Sequence, residues 1–365
     1  MKRWILAFLL SGNLFSLSAQ GVDLTSSMKK GDVSLGSAGQ IAFAPDGILL
    51  VADPMNATVV AIATGDISPA PANVSYSIEK FDEKIAAKLG TAAKDIQIVD
   101  IATNPISRQV YVSVARGRGP AAAAVLLRAK PDGSIDEVPI KGVQHSVAKI
   151  PNPAADQEGK RGNPRAESIT DIAYVNGKVF VAGLSNEEFA SNLRTLDFPF
   201  SEIDGGSSVE IYHGAHGAVE TRSPVRTFAA YSIDGEEHLL AAYTCTPLVK
   251  IPVKALESGK KVRGVTIAEL GNRNRPLDMV VYKKGGKSYV LMANSARGVM
   301  KITTDNISTI ESIESKVSDK AGLTYETIES LKGVEQLDRL SDSLAVVLSR
   351  ATPESTADLR SIALP

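Results

Sequence analysis

One unit, written six times, constrains this chain more than any other feature: an apolar strand, a tight turn, and a second apolar strand. The first copy runs Gln40-Ile41-Ala42-Phe43, turns at Pro45-Asp46-Gly47, and continues Ile48-Leu49-Leu50-Val51-Ala52-Asp53. Asp-Gly, Asn-Gly or Gly-Gly between two apolar runs is hairpin chemistry. The pattern returns at Asp171-Ile172-Ala173 with Asn176-Gly177, at Thr227-Phe228-Ala229 with Asp234-Gly235, and at Asp278-Met279-Val280 with Gly285-Gly286. Asp100-Ile101-Ala102 with Val110-Tyr111-Val112, and Glu335-Gln336-Leu337 with Leu344 to Leu348, complete the set. Taking Gln40, Asp100, Asp171, Thr227, Asp278 and Glu335 as equivalent anchors spaces the units by 51 to 71 residues. A lone hairpin cannot bury its apolar faces, and recurrent β units of this size stack round an axis as the blades of a six-bladed β-propeller, an all-β fold.

The units carry further strands. Thr58-Val59-Val60-Ala61-Ile62, Val125-Leu126-Leu127, Val209-Glu210-Ile211-Tyr212, Leu248-Val249-Lys250-Ile251 and Val299-Met300-Lys301-Ile302 read as third strands. The segments 74–78 and 143–147 read as the outer strands of the first and second units. The sixth unit ends one strand short, and Asp32-Val33-Ser34-Leu35 is expected to close that last blade from the N-terminal side, because closure removes exposed sheet edges. Helical spacing occurs over 81–89, 187–196 and 325–331. The Pro-, Gly- and charge-rich stretch 151–165 is the longest connection without a pattern, and no linker divides residues 20–365 into two domains.

The chain opens with Lys2 and Arg3, an apolar run from Trp4 to Leu10, and the small, polar segment 16–20. That is a secretory signal peptide over residues 1–19, and it predicts a periplasmic or secreted protein. Later segments fall short of the roughly 20 apolar residues of a membrane helix. The sole cysteine, Cys245, excludes an intramolecular disulfide framework, so stability must come from an apolar core. Losing Lys2 and Arg3 takes the formal charge from −1 to −3, and no block of like charge follows, which argues against nucleic acid as a partner. Trp4 is the only tryptophan. The mature chain therefore lacks the tryptophans of WD-repeat blades and of tryptophan-docked quinoprotein propellers, and it cannot stack sugars on indole.

Through Ile41-Ala42-Phe43-Ala44-Pro45-Asp46-Gly47-Ile48-Leu49-Leu50-Val51-Ala52-Asp53, the chain resembles the six-bladed propellers of the NHL-repeat and gluconolactonase-like superfamily. The resemblance covers nearly the whole mature chain as architecture, and the other units match it in pattern only. It implies a metal at the central channel held by Glu, Asn and Asp, as in related six-bladed hydrolases.

In a propeller the innermost strand starts, and the second strand ends, on one face, so the loops there converge over the channel. The anchors put carboxylates from Asp100, Asp171, Asp278 and Glu335 near the axis. Carboxylates about 8 Å apart at an effective dielectric near 20 repel by roughly 2 kcal/mol per pair, so the ring needs compensation. A hard cation such as calcium could bind these four, with Asn186 or Asn294 assisting. Alternatively Arg273, Arg275, Arg297 and Arg116 neutralise the ring, or water fills the channel.

Two functions follow. In the first, the mouth binds a small polar or anionic ligand, or a protein partner, through Arg273, Arg275, Arg297, Arg116, Asn186 and Asn294, without turnover. In the second, calcium at the channel polarises the carbonyl of a lactone or similar ester, with Asp278, Glu335 or Asp171 as the base. Gln40 stands where a metal-binding Glu is expected, and no His adjoins an anchor. His213 and His216, in Tyr-His-Gly-Ala-His-Gly, could chelate a transition metal, although the intervening Gly-Ala reads as a turn on an outer strand; His145 reads as a structural residue, and Cys245, at the end of a second strand, as either a nucleophile or a small buried hydrophobe. Ser-His-Asp order, HExxH, P-loop and dinucleotide fingerprints are all missing.

Overall fold

The computed structural model describes residues 23–160, 162–200, 205–245 and 247–365. The signal-peptide reading falls on residues outside that range. The hairpin turns take the conformation their sequences demand: Asp46 and Gly47, Asn176 and Gly177, Asp234 and Gly235, and Gly285 and Gly286 all have positive φ. Two successive positive-φ residues make the turn whose twist matches paired strands, and Gly and Asn adopt it at least cost.

Six sheets result. Numbered by the chain order of their innermost strands, blade 1 starts at Ile41–Ala44, blade 2 at Ile96–Thr103 and blade 3 at Asp171–Val175. Blade 4 starts at Thr227–Ile233, blade 5 at Pro276–Lys284 and blade 6 at Val334–Arg339. The six-bladed, all-β reading therefore holds.

The order round the ring does not follow the chain. The inner strand of blade 2 packs between those of blades 6 and 1, and blade 1 continues to blade 3. Round the axis the blades run 2, 1, 3, 4, 5, 6. The apolar cores show the same order, since each buried cluster fills one junction. Val33, Val51 and Tyr111 join blades 1 and 2, and Leu50, Ile172 and Val181 join blades 1 and 3. Val112, Val346 and Leu359 join blades 2 and 6, where the helix Phe81–Lys88 inserts Phe81 and Ile85.

Strand exchange produces this permutation and corrects three expectations. Segment 143–147 belongs to Val143–Lys149, which pairs with Thr58–Ala63 as the fourth strand of blade 1, not the outer strand of blade 2. Of segment 74–78, Ser77–Ile78 pairs with Ala357–Ala363 and completes blade 6 rather than blade 1. The N-terminal segment therefore does not close the last blade. Lys29–Gly31 adds to the outer edge of blade 1, and the Val33 N–H donates to Ile140 O at 2.7 Å. The chain leaves blade 1 after three strands, finishes blade 6, builds blade 2, and returns.

Two helical readings also change. Residues 191–197 form the third strand of blade 3, because pairing with Lys178–Leu184 puts Leu193 into the core shared with blade 4 and Leu196 into the core shared with blade 1. That makes Ser207–His213, read as a third strand, the fourth. The region 325–331 is a short strand, Tyr325–Thr327, followed by a 3-10 turn, Glu329–Leu331. Only the first of the three is an α-helix, Phe81–Lys88.

Candidate functional site

The register places Gln40, Asp100, Asp171, Thr227, Asp278 and Gln336 at equivalent positions, each one residue before an inward-paired Ile, Phe, Met or Leu. In blade 6 the anchor is Gln336 and not Glu335, because the ladder is irregular between Val334 and Gln336. In ring order these positions read Asp100, Gln40, Asp171, Thr227, Asp278, Gln336. Acidic and neutral residues alternate, so no two anchor carboxylates occupy neighbouring blades.

Each acid makes the same bond. Asp100 Oδ2 accepts the Ile41 N–H at 2.8 Å, Asp171 Oδ2 the Phe228 N–H at 2.7 Å, and Asp278 Oδ2 the Leu337 N–H at 2.8 Å. The donor is always the residue after the neutral anchor of the next blade. Asp171 Oδ1 and Asp278 Oδ1 also accept the N–H of the following residue, Ile172 and Met279, at 2.8 Å. A fourth acid, Asp338, lies two residues past Gln336 on the same strand face, and its Oδ2 accepts the Thr103 N–H of blade 2 at 2.6 Å.

Burial pushes all four acids upward. Asp171 is raised to about 7 and Asp338 to about 6, against the pull of their N–H donors. Asp100 and Asp278 stand well above the usual carboxylate range, through burial first and then the repulsion of other ring acids. The compensation that the ring needs thus comes from backbone N–H groups and retained protons. Arginines at the positions anticipated for neutralising the ring are engaged or placed elsewhere.

On the far side of the ring the channel opens into a cavity of about 570 Å³ that includes Asp100, Asp171, Asp278, Asp338, Arg108 and Arg339. On the near side, where the inner strands begin, lies a second cavity of about 420 Å³. Among the described residues its polar lining is Gln40, Gln97, Gln336, Thr170, Glu167, Arg226 and Arg275. Arg226 Nη1 donates to Glu167 Oε1 at 2.7 Å, and its Nε donates to Thr244 Oγ1. The Arg275 guanidinium forms no ion pair among the described residues. Partial burial and the charge of Arg226 both push it below the usual guanidinium range, with Glu167 opposing.

Of the residues expected at this mouth, Arg275 lines it. Arg297 instead lies against Gly271, bonds Asn272 O and faces Asp319 at 3.5 Å. Asn294 is buried and caps its own turn, accepting from the Ala296 and Arg297 N–H groups. Arg116, Asn186 and Arg273 are exposed and lie outside the cavity lining. Glu335 pairs with Arg350 at 3.2 Å, and Arg350 also bonds the buried Asp82. Cys245 is half-buried with positive φ, and its N–H donates to Asn274 O. Sequence reasoning missed Arg226, Glu167, Gln97, Gln336 and Asp338. Arg226 was accessible in principle, since it immediately precedes the anchor Thr227.

No protein family and no curated protein matches the chain in sequence. Solved structures match along most of their length. A glucose dehydrogenase is 12% identical, with 93% of this chain and all of that one covered and a TM-score of 0.38. A PQQ-bound aldose sugar dehydrogenase of Streptomyces coelicolor is 13% identical, covering 91% and 96%, with a TM-score of 0.26. The WD40 β-propeller domain of Doa1 is 10% identical, covering 92% and 95%, with a TM-score of 0.35.

Proposed function

We propose that this propeller binds a small anionic ligand, bearing carboxylate, phosphate or sulfate oxygens, at the mouth where its inner strands begin, without turnover. The observation that carries the reading is Arg275, whose guanidinium stands beside Arg226 in a cavity where, among the described residues, Glu167 alone supplies a carboxylate. Two guanidiniums against one carboxylate leave a local positive charge, and a bound anion would relieve their repulsion. Gln40, Gln97 and Gln336 add neutral amides that can donate or accept. Arg suits such oxygens because its planar fork bonds two at once. The N-terminal signal pattern supports a site of action in the periplasm or outside the cell.

The test is calorimetric titration with citrate, inorganic phosphate and sulfate. Binding by the wild type that falls at least tenfold in Arg275→Ala, with an unchanged circular dichroism spectrum, supports the reading. Equal affinity in both proteins, or no binding of any of the three, overturns it.

Calcium at the axis, which the resemblance implies, fits these residues poorly. Oxygens bound to one calcium lie at most about 5 Å apart, at 2.3–2.6 Å from the ion. Among the described residues, the group of three ligand-type side chains with atoms within 4.8 Å of one another is not in the channel. The ring oxygens are also already accepting N–H bonds. No calcium-dependent lactonase step is derived from this geometry.

A further inference from the structure

Far from the channel, at the outer edge of blade 3, the strand Ser207–His213 turns through Gly214–Gly217 into Ala218–Glu220. The turn is tight: the Gly217 N–H donates to His213 O at 2.8 Å. It brings His213, His216 and Glu220 together, with one ligand atom from each lying within 4.8 Å of the others. His213 Nδ1 lies 3.1 Å from Glu220 Oε2, and His216 Nδ1 contacts Glu220 Oε1. Ser223 Oγ donates to Glu220 Oε2 at 2.7 Å and holds the carboxylate in place.

The blade 4 side of this junction adds an independent observation. Glu269, on the strand Val265–Leu270, is 1% exposed, and its Oε1 accepts the Gly214 N–H at 2.5 Å. A Cβ at residue 214 would stand 2.9 Å from that oxygen, so the glycine is what lets the carboxylate reach the turn. Its bond to Gly214 sets the Glu269 carboxylate beside the turn that carries His213 and His216. Its other oxygen, Oε2, is buried without a hydrogen-bond partner among the described residues, and neither ring nitrogen of the buried His213 makes a well-aligned hydrogen bond. A buried, unpartnered carboxylate oxygen costs free energy unless something else occupies that place.

We propose that His213, His216, Glu220 and Glu269 form a binding site for a divalent transition-metal ion, of which zinc is the natural probe. Two imidazoles and carboxylates are a zinc donor set, with nitrogen and oxygen ligands at roughly 2.0–2.2 Å in a tetrahedron. His213, His216 and Glu220 already lie within 4.8 Å of one another, and Glu269, held against the Gly214 N–H beside them, would turn its free oxygen toward them on loading. Both histidines must be neutral to bind, so loading releases any protons they carry to the solvent. With Glu269 as fourth ligand the site is closed, and closed sites are structural: the ion ties the outer edge of blade 3 to blade 4.

The experiment is zinc titration of the protein stripped with chelator, by calorimetry and by competition with a chromophoric indicator. One equivalent should bind and raise the melting temperature by several degrees. His216 is 53% exposed at its side chain, so His216→Ala should fold normally and lose at least tenfold in affinity, while His145→Ala should match the wild type. No stoichiometric zinc in the wild type, or equal affinity in His216→Ala, overturns the site. Unchanged affinity in Glu269→Gln overturns the fourth ligand.

Discussion

The Asp100 carboxylate of blade 2 accepts the Ile41 N–H of blade 1 at 2.8 Å, joining residues 59 positions apart in the reverse of chain order. Asp171 to Phe228 and Asp278 to Leu337 repeat the bond two blades on each time. The three acids thus act as staples at alternate junctions, and Asp338 adds one at the junction of blades 6 and 2. Residues that looked like a cation site in sequence are engaged in holding the ring together.

Removing a staple should cost stability more than removing its charge. Asp278→Ala leaves the Leu337 N–H without its acceptor and is expected to destabilise by about 1–3 kcal/mol. Asp278→Asn keeps an acceptor oxygen, and burial already disfavours the charged form, so it should cost clearly less. Urea unfolding of both variants measures the difference. Equal losses would refute the staple.

The ring should make the protein more stable as pH falls from 8 to 5. Asp171 and Asp338 have folded-state values of about 7 and about 6, above the unfolded value near 3.9. Between those limits the folded state holds more protons than the unfolded state, so this contribution is complete below about pH 4 and is lost as pH rises through 6 and 7. After screening by channel water, the gain from pH 8 to 5 should be on the order of 2 kcal/mol. Glu220, held down to about 2 by His213, His216 and Ser223 against burial, works in the opposite direction only as pH falls through about 4 toward 2. Unfolding free energies at pH 5, 6.5 and 8 check the sign, and Asp171→Asn should flatten the slope. A stability that climbs toward pH 8 would contradict it.

Ring closure should depend on Ile78 and not on the N-terminal strand. Ile78 is 3% exposed in the core between blades 6 and 2, and it pairs with Leu359. Ile78→Ala should cost about 2–4 kcal/mol and speed amide exchange in Ala357–Ala363. Lys30, exposed on the outer edge of blade 1, should tolerate Ala within about 0.5 kcal/mol. Exchange confined to blade 1 after the Ile78 change would show closure elsewhere.

Local chemistry was enough to read the blades. Asp-Gly, Asn-Gly and Gly-Gly turns between apolar runs demand hairpins wherever they occur, and four of them, among six apolar strand pairs at blade spacing, leave few folds. The inward positions of Asp100, Asp171 and Asp278 followed from the same pattern, because alternation along a strand is a local property. The N-cap-free helix Phe81–Lys88 was legible from its apolar spacing, whereas 187–196 carried the same spacing and became a strand when blade 3 offered it a partner.

What only the tertiary structure decided is which strand pairs with which. Segments 74–78 and 143–147 have similar sequences, yet Ser77–Ile78 completes blade 6 and Val143–Lys149 blade 1, an exchange of strands between blades that arises because pairing depends on the edge each meets and backbone hydrogen bonds carry no address. That exchange sets blade 2 before blade 1 and turns a chain order of Gln, Asp, Asp, Thr, Asp, Gln into a ring of alternating acids and neutral residues. It also decides that Arg226 and Arg275 share a mouth with Glu167, and that Glu269 of blade 4 meets the His213 turn of blade 3. Side-chain identity is local, but the electrostatic meaning of each acid and arginine depends on its neighbours across the junctions.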